Sequence, residues 1–233
     1  MKRDEAKQLL IDGCHILEAE GHHDMTRGHL TIRLPDDSDL FYMKPHSFGF
    51  DEVSTENIVT CDIEGNKVDG TAPRHSEVYI HSEIFRVRPE VNAVIHTHPE
   101  YSVAVSATGR PVASYSQPGA LFFDNVGVYT DTPDLIRSKE MGAGVARAIG
   151  RKRVCFLKNH GVVVVGSSVA DAVVGAIMLE NACRVQILVE STGSVADVFP
   201  DEQVKQLQEK LSGHEQMQIN FDYLRRKLRR RQA

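Results

Sequence analysis

Residues 93–99 read AVIHTHP, and residues 154–165 read VCFLKNHGVVVV. Both contain apolar runs of strand length next to histidines, which indicates buried β-strands that carry imidazoles at their ends. Residues two apart on a strand point to the same face, so His96 and His98 present their rings side by side. The sequence KNHG places His160 at a tight junction between two further strands. Paired histidines are a common beginning of a three-histidine metal site, although the HxH pattern alone is weak evidence for one.

The rest of the chain alternates between helical and strand patterns. Apolar spacing predicts helices over residues 4–20, 76–88, 133–149 and 169–190, with Pro99 opening another, and strands over 29–34, 40–43, 58–63, 93–95, 154–157 and 162–165. The strands are short and partly linked as hairpins, which favours an α/β domain with a mixed or antiparallel sheet over a Rossmann fold. Neither GxGxxG nor GxxxxGK[ST] occurs in the sequence to support nucleotide binding.

Length and composition favour one globular domain over residues 1–233. The chain has 233 residues, of which 41% are hydrophobic and 25% charged, enough to build a substantial core. The net charge of −5 gives no general attraction to phosphate backbones, so we expect no nucleic-acid partner. The basic run at 224–231 could touch nucleic acid, anionic lipid or a neighbouring subunit, but a solvated helix end is the preferred interpretation.

The N-terminal sequence, the lengths of the apolar runs and the cysteines predict a cytoplasmic protein without a membrane partner. Acidic residues stand in the N-terminal MKRDEAKQLLIDG where a signal peptide would have its apolar core, and no uninterrupted apolar run reaches about 18 residues. Cys14, Cys61, Cys155 and Cys183 are scattered among apolar neighbours without CxxC spacing. We therefore expect reduced, buried thiols.

A carboxylate is placed at the start of a predicted helix. Ser76 is a plausible N-cap, which would put Glu77 in the first helical turn. Taken alone, Glu77 could be a solvated first-turn glutamate and His160 a turn-capping histidine. Added to the HxH pattern, a histidine at a tight strand junction and a carboxylate at a helix start instead raise the odds of a metal site.

Taken together, RHSEVYIH at 74–81, AVIHTHP and KNHG resemble the class II aldolase and adducin-head family in residue types, order and separation. The resemblance spans about residues 5–190 and leaves 200–233 as a helical tail. It implies a three-layer α/β/α class II aldolase-like domain and a homotetramer. It further implies one divalent metal ion per subunit, Mn²⁺ or Zn²⁺, held by His96, His98 and His160. Glu77 would be the acid/base and an occasional ligand, and His81 a supporting residue.

Three segments depart from the phosphate-binding segments of the family's sugar-phosphate aldolases. Where those enzymes have T-x-G-N, P-S-G and S-S, this chain has Thr-Arg-Gly-His at 26–29, Pro-His-Ser at 45–47 and His-Ser at 75–76. Imidazoles would fill a phosphate cradle and would offer donors suited to a carboxylate or a planar ring. The substitutions resemble the family's decarboxylase branch.

The candidate substrate-binding residues are Thr26, Arg27, His29, His46, Ser47, His75 and Ser76. Arg27 could pair with a substrate carboxylate or remain solvated, and one of the three histidines could serve only in packing. Tyr115 loosely matches a family tyrosine that reaches into a neighbouring subunit's site. It could equally be a packing residue, so a second catalytic role for it stays open beside that of Glu77.

The resemblance implies non-oxidative decarboxylation of an ortho-hydroxy aromatic or pyridine (di)carboxylate. Within that class, 3-hydroxy-2-methylpyridine-4,5-dicarboxylate of vitamin B6 degradation is the favoured example. Two alternatives remain open at this point. One is a class II aldolase that cleaves a small hydroxy-carbonyl or sugar-phosphate substrate, and the other is a non-catalytic, metal-binding structural protein.

Overall fold

The structure, a computed structural model, describes residues 2–194 and 196–232. The strands in these residues are β1 (His29–Arg33), β2 (Leu40–Met43), β3 (Val59–Asp62), β4 (Lys67–Asp69), β5 (Ala93–Thr97), β6 (Val126–Tyr129), β7 (Val154–Leu157) and β8 (Gly161–Gly166). They form one sheet in the order β4-β3-β2-β1-β5-β8-β7-β6. Only β6 and β7 are parallel, and every other neighbouring pair is antiparallel. The predicted mixed, mainly antiparallel sheet is confirmed.

Helices cover both faces of this sheet. They are α1 (Arg3–Ala19), α2 (Val78–Val87), α3 (Glu100–Thr108), α4 (Gln117–Leu121), α5 (Lys139–Ile149), α6 (Val169–Ser191), α7 (Asp201–Leu211) and α8 (His214–Gln232). One apolar core lies under α1, α3, α4, α6 and α8, and a second lies under α2 and α5. Strands β5 and β8 are buried along their whole length, because helices shield both of their faces. This arrangement confirms the three-layer α/β/α class.

The largest difference from the sequence-based expectation lies between β6 and α5. A helix predicted from residue 133 begins only at Lys139, so residues 133–138 form a loop. The Asp134 carboxylate accepts from the Leu135 amide at 2.7 Å, and the Ser138 hydroxyl accepts from the Met141 amide at 3.2 Å. Short polar side chains thus satisfy the backbone locally and delay the helix. Elements β4, α4 and β6 were also not predicted.

The basic run at 224–231 lies on α8, where part of it pairs with α1 rather than facing solvent alone. The Arg225 guanidinium lies 2.7 Å from the Asp12 carboxylate, and the Lys227 ammonium lies 2.5 Å from Glu20. Met217 and Phe221, on the same helix, are buried in the core. Helix α8 is therefore held to α1 by ion pairs as well as by apolar packing.

The four cysteines and much of helix α6 are buried in the core. All four cysteines are free and buried, which confirms the predicted reduced, buried thiols, and burial raises the pKa of each thiol to about 12. Helix α6 is long and apolar enough to cross a membrane by length and composition, but half of its apolar window is buried. It packs against β5, β8 and the helices α1, α3, α4 and α8, as a core helix does.

Candidate active site

Three strand ends meet at one edge of the central sheet. His29, the first residue of β1, lies directly opposite His96 near the end of β5. On the other side of β5, Val163 of β8 is the partner of His96. The turn from β7 to β8 contains Asn159, whose φ of 59° lies in the left-handed region, and it delivers His160 to the same edge. The topology thus brings together residues that are far apart in the chain.

His96, His98 and His160 form a cluster whose ligand atoms lie within 4.8 Å of one another. The Nε2 atoms of His96 and His98 are 3.1 Å apart. Two nitrogens bound to one tetrahedral Zn²⁺ at about 2.0–2.1 Å lie about 3.3 Å apart, close to this separation. The ring of His160 lies 5.0 Å from that of His96 and 5.4 Å from that of His98.

Hydrogen bonds orient two of these imidazoles. The Nδ1 of His96 is 3.0 Å from the carbonyl oxygen of Val162, and the Nδ1 of His98 is 3.0 Å from the Asp24 carboxylate. Because both partners are acceptors, each Nδ1 must carry the hydrogen. Both Nε2 lone pairs then face the shared space, which is the usual role of such partners around a metal ion.

His160 supplies the clearest sign that the cluster fits a cation. Both of its ring nitrogens are buried without a hydrogen-bond partner in the described part of the chain. Burial lowers the pKa of His160 to about 4 and also lowers the pKa values of His96 and His98. Neutral imidazoles with converging lone pairs are suitable ligands for Zn²⁺ or Mn²⁺, so the donor set fits a divalent metal ion.

Glu77 lies beside the histidines, but at the N-cap of α2 rather than in its first turn, so the expectation of Ser76 as N-cap is wrong. Its Oε1 accepts from the Ile136 amide at 2.9 Å. Its Oε2 is 3.8 Å from His96 Nε2 and 3.9 Å from His29 Nε2. Burial raises the pKa of Glu77, against the lowering effects of the Ile136 amide and the Arg137 charge. One oxygen is thus anchored while the other faces the cluster.

His29 belongs to a second cluster and to a buried hydrogen-bond chain. His29, Glu77 and His96 offer ligand atoms within 4.8 Å, so Glu77 can also approach an ion at this edge. The Nδ1 of His29 is 2.6 Å from His81 Nε2, and His81 Nδ1 is 2.7 Å from the Thr31 hydroxyl. His81 therefore fixes the ring of His29, which agrees with its expected supporting role.

A cavity of about 520 Å³ opens in front of the histidines and Glu77. Six of the seven candidate substrate-binding residues line it: Thr26, Arg27, His29, His46, His75 and Ser76. Ser47 does not, although its hydroxyl lies 2.7 Å from His46 Nδ1. Tyr115 lines a different cavity next to α7, so within one chain it is separate from this site.

The three histidines that distinguish this chain from the phosphate-binding pattern lie next to one another. The ring of His75 is 4.5 Å from that of His29 and 5.1 Å from that of His46. His75 Nε2 donates to the carbonyl oxygen of Pro45 at 3.1 Å, which ties two of the substituted segments together. The imidazoles thus form one continuous wall of the cavity.

Sequence reasoning missed the residues that orient the site. Asp24 holds His98, and it also accepts from Arg27 at 2.8 Å, so Arg27 is an ion-pair partner rather than a free arginine. The Ile136 amide and Arg137 lie in the segment that was expected to be helical. A polar residue just before a candidate binding segment could have indicated Asp24, whereas no local signal marks a backbone amide as the partner of Glu77.

Lys44 is another missed residue, and it is fully buried. Its ammonium donates to the carbonyl oxygens of Thr26, Pro45 and Phe48 at 3.2, 3.3 and 2.5 Å. Burial lowers the pKa of Lys44 to about 8. One side chain therefore fastens two of the segments that line the cavity, and its charge favours anionic groups nearby.

Buried histidines make the stability of the metal-free protein depend on pH. Burial lowers the pKa of His22 to about 4 and that of His81 to about 3, from about 6.5 in the unfolded chain. Below pH 6.5 the unfolded chain therefore gains protons that the folded chain does not. Each histidine should lower the free energy of unfolding by about 2 kcal/mol at pH 5 relative to pH 7.5.

Urea unfolding of chelator-treated protein at pH 7.5 and pH 5 measures this loss. The His81→Gln variant serves as the control, since it should lose about 2 kcal/mol less than the wild type over the same interval. Equal free energies of unfolding at the two pH values would contradict the prediction.

Comparison with known proteins identifies the family. Residues 8–187 match the model of the Class II Aldolase and Adducin N-terminal domain. The chain therefore belongs to the class II aldolase and adducin family, as the three motifs predicted. The match supports carbon–carbon lyase chemistry as the general reaction class.

The names of individual relatives and structural neighbours describe different activities. The 4-hydroxy-3-prenylphenylpyruvate oxygenase/4-hydroxy-3-prenylbenzoate synthase of Streptomyces roseochromogenus subsp. oscitans is 30% identical over 193 residues, covering 82% of this chain and 69% of that protein. The 3,4-dihydroxyphthalate decarboxylase of Arthrobacter keyseri is 29% identical over 213 residues, covering 87% and 86%. Among solved structures, L-fuculose 1-phosphate aldolase from Glaciozyma antarctica PI12 superimposes with a TM-score of 0.89 at 26% identity, covering 99% of this chain and 90% of that chain.

Proposed function

We propose that the protein is a divalent-metal-dependent decarboxylase that removes CO₂, without oxidation, from an ortho-hydroxy aromatic or pyridine carboxylate. The observation that carries this proposal is the wall formed by His29, His46 and His75, which lines the same cavity as Glu77 and the metal-binding candidates His98 and His160. Such a wall occupies the space that a phosphate would need. The relative named 3,4-dihydroxyphthalate decarboxylase supports the same reaction class.

In this proposal His96, His98 and His160 hold one Mn²⁺ or Zn²⁺ ion per subunit. When bound, the ion would supply Lewis acidity that stabilises the charge developing on the substrate's hydroxyl oxygen. Asp24 and the Val162 carbonyl keep the His98 and His96 rings in the orientation that binding requires. These two residues therefore act on metal affinity through the ligands.

Glu77 acts as the proton donor. Its Oε1 is fixed by the Ile136 amide, and its free Oε2 faces the cavity at the histidine cluster. Burial favours the protonated carboxyl group. Oε2 first delivers its proton to the ring carbon that carries the departing carboxylate, which converts the ring to a keto form. The carbon–carboxylate bond then breaks, its electron pair restores the aromatic ring, CO₂ leaves, and the Glu77 carboxylate regains a proton from water.

The remaining residues bind and orient the substrate. The set is Thr26, Arg27, His29, His46, Ser47, His75 and Ser76, with Ser47 acting through His46. The imidazole wall packs against the planar ring and donates to its carboxylate. Tyr115 would contribute only from a neighbouring subunit. We further propose a homotetramer in the cytoplasm, with 3-hydroxy-2-methylpyridine-4,5-dicarboxylate as one candidate substrate.

An aldolase reaction is the second candidate, because the fuculose phosphate aldolase superimposes on nearly the whole chain. Retro-aldol cleavage also leaves an electron pair that must pass to an oxygen near the ion, so the same four residues would serve. The missing small residues of the phosphate cradle argue against a phosphorylated substrate.

One panel experiment separates the candidates. Protein reconstituted with Mn²⁺ or Zn²⁺ is incubated with ortho-hydroxy ring dicarboxylates and with ketose 1-phosphates, and CO₂ and aldehyde are measured with and without O₂. We expect CO₂ release that is independent of O₂ and is abolished in chelator-treated protein. Aldehyde formation without CO₂ would identify an aldolase, a requirement for O₂ would identify an oxygenase, and metal binding without turnover would indicate a structural role.

A further inference from the structure

The candidate substrates share an arrangement that the metal and Glu77 do not fully account for. In both 3,4-dihydroxyphthalate and the pyridine dicarboxylate, a hydroxyl, the departing carboxylate and a second carboxylate occupy three consecutive ring atoms. The second carboxylate stays on the product. When the hydroxyl and the departing group face the histidines and Glu77, this retained carboxylate points elsewhere and needs a cationic partner of its own.

Two other cations near the cavity already have partners within the protein. Arg27 donates to Asp24 at 2.8 Å, and the Lys44 ammonium is enclosed by three carbonyl oxygens. Arg137 also lines the cavity and is exposed, but it makes no hydrogen bond or ion pair with any residue of 2–194 or 196–232. Its planar guanidinium can bind a carboxylate through two parallel hydrogen bonds.

Arg137 lies next to the residue that anchors Glu77, and both side chains line the same cavity. Arg137 follows Ile136, whose amide binds Glu77 Oε1, and its charge lowers the pKa of Glu77 through space. Glu100 lines the same cavity and is exposed as well, so the cavity does not attract anions by net charge alone. Selection of a second carboxylate must therefore come from direct pairing of that carboxylate with one cationic side chain.

We propose that Arg137 binds the retained carboxylate and so makes the enzyme selective for ortho-dicarboxylates over the matching monocarboxylates. This inference rests on the proposed decarboxylase function and extends it to the substrate class. Arg137 acts as a specificity residue, whereas Glu77 and the metal act on the group that leaves.

Two matched compounds test the proposal: 3,4-dihydroxyphthalate, and 2,3-dihydroxybenzoate, which lacks only the retained carboxylate. In Arg137→Gln we expect KM for the dicarboxylate to rise about 10-fold to 100-fold, the effect of losing a charged hydrogen-bond pair. Its kcat, and kcat/KM for the monocarboxylate, should stay within a few-fold of the wild type, the range left for the effect of the Arg137 charge on Glu77. Arg137→Lys should recover part of the loss, since it keeps the charge without the planar fork. Arg151→Gln, which removes an exposed arginine outside this cavity, is the control.

Calorimetric binding of both compounds to the metal-loaded proteins is measured in parallel. Tighter binding of the dicarboxylate to the wild type, lost in Arg137→Gln, supports the inference independently of turnover. If Arg137→Gln lost affinity equally for both compounds, the substitution would have a general effect on the loop, and the proposed role of Arg137 would be wrong. Unchanged affinity for both compounds would overturn that role as well. If the wild type binds the dicarboxylate selectively but releases no CO₂, the proposed function fails while the role of Arg137 stands.

Discussion

Replacing Glu77 with glutamine is expected to lower kcat for CO₂ release by about 10²-fold to 10⁴-fold, the usual contribution of a positioned general acid. Glutamine has nearly the same shape, and its amide oxygen can still accept from the Ile136 amide that now binds Oε1. The variant therefore keeps the geometry and removes only the transferable proton. Single-turnover measurements of CO₂ give the rate of the chemical step, and metal titration shows whether the variant still binds the ion.

A buried glutamate inside α2, six residues after Glu77, provides the control for this variant. Glu83 is 7% exposed and makes an ion pair with Arg86 at 3.4 Å, away from the histidine cluster. Glu83→Gln should alter stability but leave kcat near that of the wild type. Full activity of Glu77→Gln would remove Glu77 from the reaction. Loss of the metal in Glu77→Gln would instead assign it as a ligand, consistent with its place in the second cluster.

The second large effect concerns Gly161, the first residue of β8. A Cβ at this position would lie 2.6 Å from Cδ2 of His98, 2.7 Å from the carbonyl oxygen of Thr97 and 3.1 Å from Cε1 of His96. Such distances are well below van der Waals contact, so both imidazoles would have to move. We expect Gly161→Ala to weaken metal binding by about 10-fold to 100-fold, as loss of ligand orientation does elsewhere.

The last residue of the same strand supplies a matched control for Gly161. A Cβ on Gly166 would lie 2.5 Å from the backbone nitrogen of Ala172, far from the ligands. Gly166→Ala should therefore destabilise the fold while metal affinity, measured against a competing chelator, stays unchanged. If the two variants lost metal affinity equally, the effect would be one of general strand distortion and the prediction would be wrong.

The fold was predictable because its strongest signals are local. The buried strands around His96 and His160 are continuous apolar runs, and α6 is bounded by a Ser168 N-cap whose hydroxyl binds the Asp171 amide. The motif resemblance then supplied the order of the layers. The short element β4 did not stand out, because its three residues include a single apolar one and all are exposed.

The site was predictable in its residues but not in its supporting contacts. Residues His96, His98, His160 and Glu77 stand in recognisable motifs, and the structure brings all four together. Their assignment as metal ligands and acid remains a prediction. The contacts of Asp24 with His98 span 74 residues, and those of Ile136 with Glu77 span 59. Such pairs depend on tertiary folding, which no local sequence pattern encodes.

The loop at 133–138 has a consequence for how substrate preference can change during evolution. The contact that positions Glu77 comes from the backbone of Ile136, and any residue except proline could provide it. Side chains at neighbouring exposed positions are therefore free to vary without moving the acid. New ring substituents could be accommodated by exchanging one loop residue, while the bond-breaking machinery is inherited intact.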